Sequence, residues 1–272
     1  MAKVRPSAVA GLFYPAEARA LRAVIREDLD SARETSASRR PWPKALIVPH
    51  AGYAYSGPVA ATAFVRLEAS PKRVCRVVLI GPSHRVPFAG LAVPSSTAFE
   101  TPLGAVAIDE AARAQILRFP FVNVLDDAHR GEHSLEVQLP FLQEVLGAFT
   151  LVPIAIGCAS AAQVDEVVND LWGGDETLVV VSSDLSHYFD YDTAKRMDAA
   201  TASAIESLDP DRIAQDDACG RIGVQGLLRV ARRQGLVAKT LDLRSSGDTA
   251  GGSDEVVGYG AWAFTVSRNG SP

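Results

Sequence analysis

The chain has 272 residues, of which 47% are hydrophobic and 22% are charged, and its formal net charge is −5. This composition is typical of a globular protein and excludes disordered and collagen-like chains. The small negative charge also argues against a nucleic-acid-binding protein, because phosphate neutralisation needs a basic surface. An arginine pair, Arg39 and Arg40, stands beside Pro41 and Pro43 and is assigned to a loop.

Thirteen segments carry a helical or strand pattern of apolar residues. In chain order they predict helix 15–32, strand 45–49, helix 56–68, strands 76–82 and 89–95, helix 134–147, strand 149–157, helix 161–173, strand 177–183, helices 194–208 and 222–235, and strands 238–243 and 256–266. Several strands are apolar on both faces, so we predict an α/β fold with a central, largely parallel or mixed sheet flanked by helices. We expect one domain over residues 1–272, with the last two strands antiparallel.

Cysteine usage and hydropathy indicate the compartment. Cys75, Cys158 and Cys219 are odd in number and widely spaced, which argues against a disulfide framework and predicts buried, inert thiols. The uncharged run 145–164 contains Pro153 and polar residues, so we interpret it as a buried strand and a helix rather than a membrane span. We expect a cytoplasmic protein with no membrane or nucleic-acid partner, and the sequence leaves its oligomeric state open.

Ionisable residues follow several predicted strands. His50 and His84 each end an apolar strand, Asp184 and His187 follow a third, and Asp248 ends a fourth before a glycine-rich turn. Because ligands of open α/β sheets bind at the carboxyl ends of strands, these residues are candidates for one site. Two histidines and one carboxylate can form the facial triad that holds Fe(II), and zinc would also accept this set.

The same residues also have an alternative interpretation, in which they only stabilise the fold. A single histidine after a strand is usually a hydrogen-bonded loop residue. Asp184 either orients His187 or a ligand imidazole, or caps a following helix. His133 lies where a loop meets a helix, close to Glu132, and His129 is assigned to the surface.

Seven motifs taken together resemble the Memo family, which in prokaryotes is also called AmmeMemoRadiSam system protein B. These are AGLFYP (10–15), VPHAGYAYSG (48–57), LIGPSH (79–84), FETPLG (99–104), EHSLEVQLPFL (132–142), SSDLSHY (182–188) and SSGD (245–248). The resemblance covers a core of about residues 4–266. It implies a fold similar to that of class III extradiol dioxygenases of the protocatechuate 4,5-cleaving type, which are non-haem iron enzymes.

The resemblance also implies roles for single residues. His50 and His84 match the two metal-ligand histidines, and His187 matches a histidine that acts as an acid or base. Asp248 occupies the place where animal Memo proteins carry a cysteine and the dioxygenases a glutamate, and it is the expected third ligand. His133 matches a further histidine that points towards the same cleft.

Two classes of function follow from this resemblance. In the first, the protein is an oxidoreductase of the dioxygenase type: Fe(II), or else copper or zinc, binds His50, His84 and Asp248, and His187 with Asp184 and His133 serves a small, oxygenated, catechol-like substrate. In the second, the same cleft binds a peptide or small ligand without chemistry. Kinship of fold does not decide between them.

Overall fold

The computed structural model describes residues 3–35, 42–68 and 74–266; the Arg39–Arg40 pair lies outside these ranges. Its helices are α1 (Ala18–Thr35), α2 (Tyr53–Phe64), α3 (Glu110–Ile116), α4 (Asp127–Arg130), α5 (Leu139–Leu146), α6 (Ala161–Asp170), α7 (Tyr191–Glu206) and α8 (Arg221–Arg233). Its strands are β1 (Val4–Arg5), β2 (Ala45–Val48), β3 (Arg76–Pro82), β4 (Leu91–Val93), β5 (Ala98–Thr101), β6 (Gly104–Ile108), β7 (Val122–Val124), β8 (Thr150–Ile156), β9 (Thr177–Ser182), β10 (His187–Phe189), β11 (Leu236–Ser245) and β12 (Val256–Val266).

The strands form one mixed sheet in the order β1-β5-β6-β8-β3-β9-β2-β12-β10. The five strands from β6 to β2 are mutually parallel, and β12 runs antiparallel to β2. β11 pairs antiparallel with β12, which confirms the expected orientation of the last two strands. The α/β class with a mixed central sheet is therefore confirmed.

Alternation along the central strands explains why both faces of the sheet are covered. In β3, Val77 and Leu79 face one hydrophobic cluster, whereas Val78 and Ile80 face the other. Helix α1 covers the first face with residues at four-residue spacing, Leu21, Ile25 and Leu29 among them, and α6 and α8 cover the second. Among the described residues, no helix is both long enough and apolar enough to cross a bilayer.

The main differences from the predicted elements lie at helix ends and in short strands. Helix α1 begins at Ala18 rather than at residue 15, because the Glu17 carboxylate accepts hydrogen bonds from the backbone N–H groups of Arg19 and Ala20. A turn at residues 102–103 joins the antiparallel strands β5 and β6, neither of which was predicted. These strands are too short for their pattern to be recognised in the sequence.

A buried carboxylate fastens the N-terminal segment to the body of the fold. Glu136 is fully buried and contacts Arg5 Nη1 at 2.5 Å, while the Tyr14 hydroxyl donates to the same carboxylate at 2.5 Å. The backbone N–H groups of Ala8 and Val9 also donate to it, at 2.8 and 3.0 Å. Because every neighbour is a donor, the site requires an anion that only accepts.

We therefore expect Glu136→Gln to lower the free energy of unfolding by about 3 kcal/mol, since it leaves the buried Arg5 charge unpaired. Urea unfolding measures this loss. Glu144→Gln is the matched control, because Glu144 pairs with the largely exposed Arg26 and should lose at most about 1 kcal/mol. Equal losses in the two variants would contradict a special role for Glu136.

The structure places His129 in the core, so its assignment to the surface was wrong. Its side chain is packed against Phe99, and its Nε2 donates to the carbonyl of Ala92 at 3.1 Å. Burial lowers the pKa of His129 to about 4, although the Ala92 carbonyl opposes that shift. The ring is therefore neutral in the folded protein across the physiological pH range.

This burial makes stability depend on pH. Below pH 6.5 the unfolded chain binds a proton at His129, whereas the folded protein binds it only near pH 4. The free energy of unfolding therefore decreases as the pH falls from 6.5 towards 4. The parent should lose about 2–3 kcal/mol more of its free energy of unfolding between pH 7 and pH 4 than His129→Leu, which has no imidazole to protonate. Denaturant unfolding of both metal-free proteins at several pH values measures the difference, and parallel curves would refute it.

Candidate metal centre

Three neighbouring parallel strands deliver the candidate residues to one edge of the sheet. His50 lies two residues after β2 and His84 two residues after β3, while β9 runs between these strands and is followed by Asp184. All three positions are at carboxyl ends, as the sequence predicted. His133 reaches the same edge from the loop that follows α4.

The histidines at this edge form a compact cluster. One potential ligand atom from each of His50, His84 and His133 lies within 4.8 Å of the other two. The rings of His84 and His133 are stacked with centroids 4.7 Å apart, and His50 meets them edge-on at 5.2 and 5.4 Å. His50 is 1% exposed, whereas the His84 side chain is 31% exposed, so the cluster opens towards solvent on the His84 side.

Hydrogen bonds of Ser182 fix the tautomer of His50. The Ser182 hydroxyl lies 2.6 Å from the carbonyl oxygen of Ser134, which can only accept, so the hydroxyl hydrogen points there. Towards His50 Nδ1, at 2.9 Å, Ser182 must therefore be the acceptor. Neutral His50 consequently carries its proton on Nδ1 and presents a bare lone pair at Nε2.

Glu132 fixes the orientation of His84 and the position of its Nδ1 proton. Its carboxylate accepts the His84 Nδ1 proton at 2.9 Å and the backbone N–H of His84 at 2.6 Å. The backbone N–H groups of His133 and Ser134 also donate to it, each at 2.9 Å. One carboxylate thus orients His84, fixes a proton on its Nδ1 so that the neutral ring has a bare Nε2, and holds the loop that carries His133.

Electrostatics disfavour protonation of His50 and His133 and keep the Glu132 carboxylate charged. Burial, followed by the neighbouring His84 and His133, holds the pKa of His50 well below its usual value, and burial lowers that of His133 to about 4. Burial alone would raise the pKa of Glu132, but hydrogen bonds and the charge of His84 lower it to about 2. Lone pairs beside a buried anion are an environment that favours a cation.

Asp184 and His187 occupy distinct places beside the cluster. Asp184 Oδ1 accepts the backbone N–H of His50 at 2.6 Å, so Asp184 positions a candidate ligand and does not cap a helix. Burial raises the pKa of Asp184 to about 7, against the hydrogen bond from His50. His187 is partly buried in β10, where its Nδ1 donates to the carbonyl of Leu185 at 2.8 Å.

Asp248 is not brought to the three imidazoles. Its carboxylate accepts from the Tyr191 hydroxyl at 2.7 Å and from the backbone N–H of Ser245 at 2.8 Å. It lines a different cavity of about 320 Å³ together with Lys195. The third side chain of the cluster is thus the imidazole of His133, and not the carboxylate of Asp248 that was predicted as a ligand.

Cys219 was not predicted to lie beside the cluster. Its sulfur lies 3.3 Å from His50 Nε2, and because that nitrogen is bare, the thiol is the donor. Burial raises the pKa of this thiol, so it carries its proton. Cys75 and Cys158 are exposed rather than buried, contrary to expectation. No spacing signal links Cys219 to His50, which lies 169 positions away.

A cavity of about 580 Å³ adjoins the cluster. Cys219 and Ser83, which precedes His84, both line it, and Val86, Phe88 and Ile156 contribute apolar surface. None of the described residues in its lining is charged. The cavity is large enough for a small, mostly apolar ligand.

Comparison with known proteins agrees with the motifs. The family model described as Memo-like protein matches residues 5–263. A MEMO1 family protein of Aquifex aeolicus is 35% identical and covers 94% of this chain and 97% of its own, and one of Ignicoccus hospitalis is 36% identical with 97% and 99% covered. The crystal structure of an uncharacterised Escherichia coli K12 protein aligns with a TM-score of 0.52 at 13% identity, covering 82% of this chain and 99% of that one, and shows similarity of fold. The chain therefore belongs to the Memo family.

Proposed function

We propose that His50, His84 and His133 hold a single metal ion, Fe(II), and that the protein is an oxidoreductase of the dioxygenase type that acts on a small oxygenated substrate. The observation that carries the proposal is the convergence of three imidazoles, two of which have bare Nε2 atoms fixed by Ser182 and Glu132. Metal-binding histidines almost always make this second hydrogen bond at the opposite ring nitrogen.

The donor set suits a metal ion of this type. Neutral imidazoles bind iron, copper and zinc, and three protein donors leave coordination positions open for small molecules. The Nδ1 atom of His133 is buried without a hydrogen bond, although it lies 3.3 Å from Glu132 Oε1. The anionic Glu132 partly offsets a dication. A bound Fe(II) ion would supply the electrons and the substrate-activating charge for oxygen chemistry.

His187 is suited to accept a proton from a substrate. Because its Nδ1 proton is committed to the Leu185 carbonyl, the neutral ring presents Nε2 as a base. Burial is the largest cause that lowers the pKa of His187, and the charge of nearby His84 adds to it. The ring is therefore unprotonated near neutral pH, while Asp184 acts by positioning the backbone of His50.

The uncharged 580 Å³ cavity supports a second candidate function, in which the cleft binds a small ligand or a peptide segment without chemistry. Both candidates use the same surface beside Cys219 and Ser83. They differ in whether oxygen is consumed, which makes metal content and oxygen uptake the deciding measurements.

Metal analysis tests the proposed ligands. We expect His50→Ala, His84→Ala and His133→Ala each to weaken Fe(II) affinity at least about tenfold in anaerobic equilibrium dialysis, because each removes one donor. Asp248→Asn is the control and should bind as the parent does. His84 is the most exposed of the three, so its replacement separates metal loss from misfolding, which circular dichroism monitors. Unchanged binding in the His84 and His133 variants would refute the site.

Substrate turnover tests His187. We expect His187→Ala to keep its metal but to lose about 10²–10⁴ in rate, the usual contribution of a positioned acid or base. Oxygen uptake with catechol and protocatechuate is the first assay. Because the pKa of His187 is below 6.5, activity of the parent should fall on the acid side only below pH 6.5. Metal loss in the variant would instead make His187 a ligand.

Ligand binding distinguishes the second candidate. If the iron-loaded parent consumes no oxygen with any such compound, yet binds them in the cavity by NMR, the binding function replaces the enzymatic one.

A further inference from the structure

Tyr188 directly follows His187 and has an unusual backbone conformation. Its φ is 61°, in the left-handed region that favours glycine, and a large aromatic residue adopts this region only at a cost in free energy. The register of β10 against β12 shifts between His187 and Phe189, which leaves Tyr188 as the extra residue of a β-bulge. Bulges re-aim side chains and are frequent beside active sites.

The bulge turns the Tyr188 ring towards His187. Successive side chains of a regular strand point to opposite faces of the sheet. Here the ring centroids of these two neighbours are only 5.7 Å apart, and the rings meet edge-on. His187 Nε2 is the atom proposed to accept a substrate proton, and a group that donates to it lies about 2.6–3.2 Å away. A substrate bound there is therefore within reach of the Tyr188 ring.

Packing does not compensate for the strain at Tyr188. Its side chain is 71% exposed and belongs to none of the hydrophobic clusters of the described residues. Leu208 is the second non-glycine residue with a positive φ in the part of the chain that the structure describes, and it packs against the cluster that α6 and α8 cover. An exposed aromatic ring held in a costly conformation indicates a role in binding.

The segments on both sides hold the backbone of Tyr188 in this conformation. Before it, the Leu185 N–H donates to the carbonyl of Gly258, and the Gly258 N–H donates to the carbonyl of Ser186, each at 2.8 Å. After it, Asp190 caps the first turn of α7. Because both neighbouring segments are anchored, the fold maintains the strained conformation.

We propose that Tyr188 is a substrate-binding residue whose ring packs against the substrate beside His187. This inference rests on the proposed function, because the proton acceptor of that reaction defines where the substrate lies. The ring holds the substrate at His187 Nε2 and shields it from water. Such a contact suits the planar ring of a catechol-like substrate.

Ligand binding to the zinc-loaded protein tests the proposal without turnover. We expect Tyr188→Gly and Tyr188→Ala to bind catechol at least about fivefold more weakly than the parent in NMR titrations, because each removes the ring. Tyr188→Phe keeps the ring and should bind within about twofold of the parent. An equal loss in Tyr188→Phe would overturn the ring contact.

Leu208→Gly is the matched control. It introduces glycine at the other strained residue, which belongs neither to the histidine cluster nor to the lining of the adjoining cavity. This variant should bind catechol as the parent does.

Urea unfolding provides a measurement that needs no ligand. Tyr188→Gly should unfold at a higher urea concentration than Tyr188→Ala, because both lack the ring and only glycine adopts a positive φ without strain. A higher midpoint for Tyr188→Ala overturns the strained backbone and, with it, the proposal.

The outcomes separate this proposal from the function on which it rests. Oxygen uptake by the parent, together with unchanged catechol binding in Tyr188→Gly, overturns the role of Tyr188 and leaves the proposed function intact. Weaker binding in Tyr188→Gly, without oxygen uptake by the iron-loaded parent, supports the role of Tyr188 and overturns the oxidoreductase. A parent that does not bind catechol overturns both proposals.

Discussion

The arrangement of the site depends on one buried carboxylate. Glu132 accepts four hydrogen bonds, two from His84 and one each from the backbones of His133 and Ser134. It therefore joins the end of β3 to a loop almost fifty residues later in the chain. Arg5 donates to the carbonyl of Glu132 at 2.7 Å and to Glu136, so the same loop is held from its other side. The contacts of Arg5 therefore hold both the N-terminal segment and the loop that carries Glu132 and His133.

The parts of the site that were predictable follow from strand geometry. His50 and His84 could be identified because an apolar strand followed by an ionisable residue places that residue at the carboxyl edge of a parallel sheet. The register of β2, β9 and β3 then decides which residues meet, and Ser182 comes between the two histidines. The sequence indicated the edge, but it contained no information on strand order.

The parts that were not predictable depend on contacts across distant segments. His133 belongs to an irregular loop without periodicity, and only the family resemblance pointed it towards the cleft. Asp248 satisfied the same strand-end rule as His50, yet Tyr191 and Ser245 engage its carboxylate. His129 was assigned to the surface because it lacks the strand-end context of the other histidines, whereas in the structure it lies in α4 and Arg5 donates a hydrogen bond to its carbonyl oxygen at 2.6 Å.

Tautomers connect this fold to its chemistry. A neutral histidine presents a free lone pair at Nε2 when its proton is on Nδ1, and three separate acceptors hold this tautomer here: Ser182 for His50, Glu132 for His84 and the Leu185 carbonyl for His187. Ser182 acts as an acceptor only because the Ser134 carbonyl takes its own hydrogen. Ser182 accepts the Nδ1 proton of His50 because the carbonyl of Ser134, next to His133, accepts the hydrogen of the Ser182 hydroxyl. This chain of hydrogen bonds links His50 to the loop that carries His133.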